Sequence, residues 1–180
     1  MVFNGVRMIS LRLIRDSIRT IPDFPKKGIL FRDITPVLLH GPMFRACIGR
    51  FAKLAKGKAD YVISIESRGF IFGSALAHSL GVGFVPIRKA GKLPYKTYQM
   101  EYDLEYGKAA VEIHEDAIHK GARVILIDDV LATGGTMKAA MHLVKKFGAK
   151  VAGVYFLIEL EDLKGRARLK GCPVRSLITF

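Results

Sequence analysis

The chain has 180 residues, 50% of them hydrophobic and 25% charged, with 18 glycines, 7 prolines and 2 cysteines. That length suits one domain able to bury roughly 70% of the surface its unfolded chain exposes, and the composition excludes the disordered, collagen-like and coiled-coil classes. Lys and Arg outnumber Asp and Glu by 29 to 16, a formal net charge of +13 that points to an anionic partner: nucleic acid, an acidic membrane surface or a phosphate-rich small substrate.

In chain order, Met8, Leu11, Ile14 and Ile18 recur at steps of three and four, which predicts an amphipathic helix over 7–20. Arg7, Arg12 and Arg15 interrupt this N-terminal stretch before it reaches the length of a signal-peptide core, so a cytoplasmic protein is expected. Pro22, Pro25 and Gly28 break residues 21–28 into turns that hand over to 29–33. Phe44, Ile48, Phe51 and Leu54 predict a second helix over 42–55, closed by Lys56 and Gly57. A β-branched run at 61–65 stops at Glu66-Ser67-Arg68-Gly69 and leads into a helix ending near Leu80, making a strand–loop–helix unit. Residues 69–87 are all uncharged, yet Gly69, Gly73, Gly81, Gly83 and Pro86 divide them into a short helix, a turn and a strand at 83–88, which excludes a membrane span.

A basic stretch, 85–100, carries Arg88, Lys89, Lys92 and Lys96 without an acid, and then 101–116 holds six acids against Lys108. Tyr102, Leu104 and Tyr106 alternate, and with residues 110–113 they predict a hairpin arm turning near Gly107. Residues 123–127 form an apolar strand of the kind buried on both faces, followed by Asp128-Asp129 and a glycine loop. A helix is expected over 136–147, a long strand over 151–158 and a last strand over 174–179 after a short helix. Strands alternating with helices of this length give an α/β fold with a mostly parallel central sheet flanked by helices. Cys47 and Cys172 are too few for a disulfide framework and lack metal spacing, and the five histidines have no ligand spacing with one another or with cysteine.

The segment VILIDDVLATGGT, 124–136, concentrates the chemistry. Buried hydrophobes deliver two adjacent carboxylates to a strand's carboxyl end, the edge at which open α/β sheets bind ligands. Thr133, Gly134, Gly135 and Thr136 then let backbone N–H groups close around an anion where a helix begins. A phosphate cradle beside carboxylates suits a sugar phosphate, the acids accepting hydrogen bonds from vicinal hydroxyls or helping to organise Mg²⁺. A capped helix after a strand accounts for the glycines and Thr136 but not for the paired acids. No Walker A lysine follows Gly135, and the dinucleotide G-x-G-x-x-G pattern is absent from this loop.

This segment resembles the phosphoribosyl-pyrophosphate signature of the type I phosphoribosyltransferases. GILFRD, ESRGF, GFVPIRKAGKLP and YDLEYG, in that order, resemble the adenine-specific branch of the family, and the match runs from about Ile14 to the end. The resemblance implies the type I phosphoribosyltransferase fold: one domain over 1–180, with a small N-terminal hood over about 1–34, a core over 35–180 and a mobile loop over 92–105 within the hairpin arm. It also implies an activity: adenine and phosphoribosyl pyrophosphate become AMP and pyrophosphate, with Mg²⁺ required and a homodimer expected. Asp128 and Asp129 would hold the ribose hydroxyls, and Ala132, Thr133, Gly134, Gly135 and Thr136 the 5′-phosphate. Ser67, Arg68, Arg88, Lys89 and Lys92 would bind pyrophosphate, one or more of the last three from a neighbouring subunit. Adenine would stack on Phe31 while the backbone at Leu30 and Arg32 reads its edge, and Glu105 would act on its imidazole side.

Two other readings remain at this stage. Transfer to a 6-oxopurine or xanthine is opposed by GILFRD and LEYG. A non-catalytic regulator that senses phosphoribosyl pyrophosphate and binds nucleic acid would need a DNA-reading module, and the roughly 25 residues before the hood hold one helix, too little for a helix-turn-helix.

Overall fold

The computed structural model describes residues 9–103 and 107–180. The chain forms two compact units, residues 1–50 and 51–180.

In the first unit, α1 (Leu11–Ser17) is capped by Ser10, whose hydroxyl accepts from the Leu13 N–H at 3.1 Å. The helix is shorter than its periodicity predicts. The C-cap, Ile18, is already extended, and β1 (Arg19–Pro22) pairs antiparallel with β2 (Leu30–Asp33), Ile21 lying opposite Phe31. Residues 19–20 therefore leave the predicted helix to join a two-stranded ribbon, because pairing with β2 satisfies backbone groups that a last helical turn would leave unpaired. α2 (Thr35–Leu39) has Pro36 in its first turn, and α3 (Gly41–Ala55) starts within a residue of its predicted position. Burial pushes the Cys47 thiol up to about 11, so this cysteine packs as a small hydrophobe.

The second unit carries the seven-stranded sheet. Its strands are β3 (Tyr61–Ile65), β4 (Gly83–Lys89), β5 (Thr97–Asp103), β6 (Lys108–His114), β7 (Arg123–Leu131), β8 (Lys150–Glu159) and β9 (Val174–Thr179), in the order β5-β6-β4-β3-β7-β8-β9. The run from β4 to β9 is parallel, and β6 and β5 extend the β4 edge antiparallel. This is the α/β architecture that alternating strand and helix signals imply. α4 (Arg68–Leu80) follows β3 and α5 (Gly135–Lys146) follows β7. Ile63, Ile65, Val85, Ile87, Val124 and Leu126 share one core with Met137, Ala140, Met141 and Val144 of α5. On the opposite face, a Cβ built on Gly73 of α4 would run into Ser64 and Phe84, so the helix backbone lies directly on the strands.

Three boundaries differ from expectation. β7 continues to Leu131, so Asp128 and Asp129 lie within the strand and not beyond its end; pairing with β8 extends through Leu131 opposite Glu159. β5 begins at Thr97, so much of the expected mobile loop is strand, paired over 97–103 with β6. The short helix before β9 is two 3₁₀ turns, Glu161–Leu163 and Gly165–Arg168.

Candidate active site

The sheet brings the carboxyl ends of β3 and β7 side by side, and a cavity of about 250 Å³ opens there. One wall is the segment from Val130 to Thr136 with the first turn of α5, and the others carry Asp128, Glu66, Lys89, Tyr102 and Val111. Gly134 caps α5 in the left-handed region at φ +79°, and a Cβ there would stand 2.7 Å from the Gly165 carbonyl oxygen. Both facts require glycine. The loop can therefore curl tightly enough to turn the unpaired N–H groups of the helix start inward, where their partial positive charge favours an anion.

Asp128 lies on the cavity wall and Asp129 does not. Asp128 Oδ1 accepts from the Asp129 N–H at 2.8 Å, and a Cβ on Gly69 would sit 2.6 Å from that same oxygen, so the glycine of ESRGF lets α4 start against the carboxylate. Asp129 is buried and faces the Arg68 guanidinium at 2.7 Å. Burial and the neighbouring negative charge of Asp129 push the Asp128 carboxyl well above the usual carboxylate range. Burial raises Asp129 as well, against the pull of Arg68.

Of the pyrophosphate-binding residues expected from the sequence, Lys89 lines the cavity, whereas Ser67 is the N-cap of α4 and Arg68 its first residue. Arg88 is engaged by Glu66: its Nε donates to Oε2 at 2.6 Å, while the Lys89 N–H donates to Oε1 at 3.1 Å. Arg88 also donates to the Lys92 carbonyl at 3.0 Å. Sequence reasoning passed over Glu66, and the signal was available: an acid at a strand's carboxyl end, one register step from a basic strand end. A further acid, Glu112 on β6, is buried and was also missed. It stands as a single charge in the apolar run 109–113, a pattern that marks an inward-facing polar group.

In the first unit, Leu30 and Phe31 lie on β2, Phe31 meeting Phe24 edge-to-face with ring centroids 5.1 Å apart. Arg32 donates to the Thr20 hydroxyl across the ribbon. The ribbon is anchored by Asp33, which accepts from Arg19 Nε at 2.8 Å and from the N–H and hydroxyl of Thr35 at 2.9 and 2.7 Å. The Thr35 N–H above all, with the Thr35 hydroxyl and Arg19, holds the Asp33 carboxyl below its ordinary range despite burial. Glu105 lies outside the described residues.

Away from this site, a second concavity of about 450 Å³ between α5 and the 3₁₀ turns is lined by Lys138, His142, Lys145, Arg168 and Lys170. The four lysine and arginine side chains among them are exposed, which accounts for part of the basic excess as solvated surface.

A model of the phosphoribosyl transferase domain matches residues 39–178. An adenine phosphoribosyltransferase of Thermotoga sp. (strain RQ2) is 55% identical over 164 residues, covering 91% of this chain and 96% of that protein. The crystal structure of adenine phosphoribosyltransferase from Thermoanaerobacter pseudethanolicus superposes with a TM-score of 0.92 at 51% identity, covering 95% of this chain and all of that one. The Saccharomyces cerevisiae enzyme, complexed with adenine and an iminoaltritol bisphosphate, gives 0.89 at 41% identity, covering 93% and 97%. A cradle and carboxylate at the end of β7, set in a fold and sequence shared across nearly the whole chain, place it in the phosphoribosyl transferase family, among the adenine phosphoribosyltransferases.

Proposed function

We propose that the chain transfers the 5-phosphoribosyl group of phosphoribosyl pyrophosphate to N9 of adenine: the bond from C1′ to the pyrophosphate oxygen breaks, the C1′–N9 bond forms, and the N9 proton leaves. The observation that carries this reading is the cavity at the end of β7, where the Gly134-capped loop at the start of α5, Asp128 and Lys89 line one space.

In this reading the 132–136 loop binds the 5′-phosphate, and Asp128 and Asp129 bind the ribose hydroxyls. Arg68, paired with Asp129, joins the ribose and pyrophosphate subsites so that each orients the other. Ser67, Arg88, Lys89 and Lys92 take up the negative charge that develops on the departing pyrophosphate, the largest gain available for an oxocarbenium-like transition state. Phe31 stacks on adenine and the backbone of Leu30 and Arg32 reads its donor–acceptor edge. Glu105 accepts a hydrogen bond from the imidazole side of the base and stabilises the tautomer from which the proton leaves.

Among the described residues no cluster of three or more His, Cys, Asp or Glu side chains is able to hold a metal alone. Asp128 and Asp129 would hold a magnesium ion only through water, as hard carboxylate donors beside a pyrophosphate that would bring the ion with it. When bound, the ion supplies further neutralisation of the leaving group. Family resemblance supports a homodimer, in which one or more cations of 88–92 serve the neighbouring active site, and a cytoplasmic location; no helix among the described residues is long and apolar enough to cross a membrane.

The test is to supply adenine, hypoxanthine, guanine and xanthine separately with phosphoribosyl pyrophosphate and magnesium and to follow nucleotide formation. Adenine is expected to lead in kcat/KM by at least roughly a hundredfold, because an edge-reading site leaves buried groups unpaired against the wrong base. Comparable values for hypoxanthine overturn the assignment.

A further inference from the structure

Glu112 sits on β6 between Arg88 on β4 and Gln99 on β5, the residues directly opposite it in the two ladders. It is 2% exposed. The cation across the ladder does not pair with it: Arg88 turns instead to Glu66, and among the described residues Glu112 forms no salt bridge. Burying a carboxylate without a cation is costly unless its oxygens are filled by other donors. Here they are. Oε1 accepts the consecutive backbone N–H groups of Lys92 and Leu93, both at 2.8 Å, and Oε2 faces the Thr97 hydroxyl at 3.3 Å and the Gln99 amide at 3.2 Å. Burial opposes the charge, yet the donors of the 91–93 turn prevail and hold this carboxyl below the ordinary range.

An apolar residue on β6 would serve the sheet as well and avoid that burial cost. What the carboxylate adds is a clamp on the turn that follows β4. Gripping two successive N–H groups fixes the path of 91–93, and the Lys92 carbonyl in the same turn accepts from Arg88 at 3.0 Å. The result is one continuous network: Glu66 holds Arg88, Arg88 holds the Lys92 carbonyl, and Glu112 holds the Lys92 N–H. Three of the cations read as pyrophosphate ligands, Arg88, Lys89 and Lys92, are thus set from two sides by two acids: Glu66 on the cavity wall and the buried Glu112.

We propose that Glu112 is a positioning residue for pyrophosphate: its buried carboxylate fixes the 91–93 turn so that Lys92 is presented in one place before substrate arrives. This rests on the reading of Lys92 as a pyrophosphate ligand. The gain is preorganisation, since a cation displaced by about 1 Å can cost a hundredfold in rate.

The test compares wild type, Glu112→Gln, Glu112→Asp, Lys92→Ala and the Glu112→Gln/Lys92→Ala double variant, using initial rates with each substrate varied and amide hydrogen exchange at Lys92 and Leu93. Glu112→Gln is expected to lower kcat/KM for phosphoribosyl pyrophosphate at least tenfold, leave KM for adenine within twofold, and speed exchange of both amides at least tenfold. In the Lys92→Ala background the same substitution should cost less than threefold. Glu112→Asp, which keeps the charge but withdraws it from the turn, should show the same split at smaller size, and it carries the test if the Gln variant does not fold. Unchanged exchange at the two amides, an equal rise in both KM values, an undiminished cost in the Lys92→Ala background, or failure of both variants to fold overturns the proposal and leaves Glu112 a general structural residue. If Lys92→Ala alone leaves the kinetics with phosphoribosyl pyrophosphate unchanged, the ligand assignment of Lys92 fails; the exchange data then report separately whether Glu112 holds the turn.

Discussion

The β7–α5 segment and the β1–β2 ribbon are assigned the two halves of one reaction, and they are built by opposite means. β7 is a central strand with Val124, Ile125, Leu126 and Ile127 all fully buried, and its loop is closed by a glycine in a conformation few other residues adopt. The ribbon is four residues on each side, β1 exposed along its whole length, and is fixed by one polar cluster around Asp33. Charge must meet a phosphate group with donors already in place, because reorganising dipoles during reaction forfeits much of their value. A planar base can be held by a stacking ring and an edge of backbone, for which a light ribbon suffices. The cradle should therefore fail abruptly on substitution and the ribbon by degrees.

The largest expected effect is at Gly134. Gly134→Ala places a Cβ in the left-handed region and against the Gly165 carbonyl, so the N–H groups of the loop move off the phosphate. Turnover is expected to fall by ~10² or more, the loss seen when one preorganised donor is removed, with far-ultraviolet circular dichroism unchanged; a variant retaining a tenth of wild-type kcat/KM removes the cradle from the mechanism. Glu105→Gln comes next, expected to lower kcat at least tenfold within the ~10²–10⁴ that general acid–base groups contribute. Single-turnover kinetics isolates the chemical step, and an unchanged rate there takes Glu105 off the catalytic list.

The ribbon's response should be smaller and confined to one substrate. Asp33→Asn loosens the Arg19–Thr35 anchor, and KM for adenine is expected to rise about fivefold, of the order that one charged hydrogen bond of ~1 kcal/mol or more commands, while KM for phosphoribosyl pyrophosphate stays within twofold. A change in the second constant alone contradicts the division of labour.

The smallest effect, a few degrees in melting temperature, has opposite sign in the two regions. Asp128 is raised in the folded state, so the ionised form is disfavoured there and wild-type stability is lost as pH rises through that value; Asp128→Asn should melt higher than wild type at pH 8 and lose the advantage near pH 4. Asp33 is lowered, so its contribution is present above the ordinary carboxylate range and disappears as pH falls through the lowered value; Asp33→Asn should melt lower than wild type at pH 8 and converge with it in acid. Melting curves of both variants between pH 3 and 8 check the pair of signs, and parallel curves for the two would remove the contrast.

How much of this was legible in the sequence depends on how far apart the interacting residues lie. Within 124–136 a buried strand, two acids, a glycine turn and a helix start occupy 13 consecutive residues, and the sequence alone determined that local succession, the α/β class and, with four further motifs in order, the family. Strand and helix periodicities carry no information on where pairing stops, so only the tertiary structure decided that β7 runs past Asp129 to Leu131, that 19–20 is strand and not helix, and that 97–103 is laid against β6. The same limit hid the long-range polar contacts. Nothing near Gly134 in the chain announces that Gly165 backs it, nor does anything near Lys92 announce Glu112, 20 residues on; such partners are chosen by which ladders form. Local residues set what a segment can do, and the burial of unpaired donors and acceptors across the sheet set which distant acid or glycine completes it.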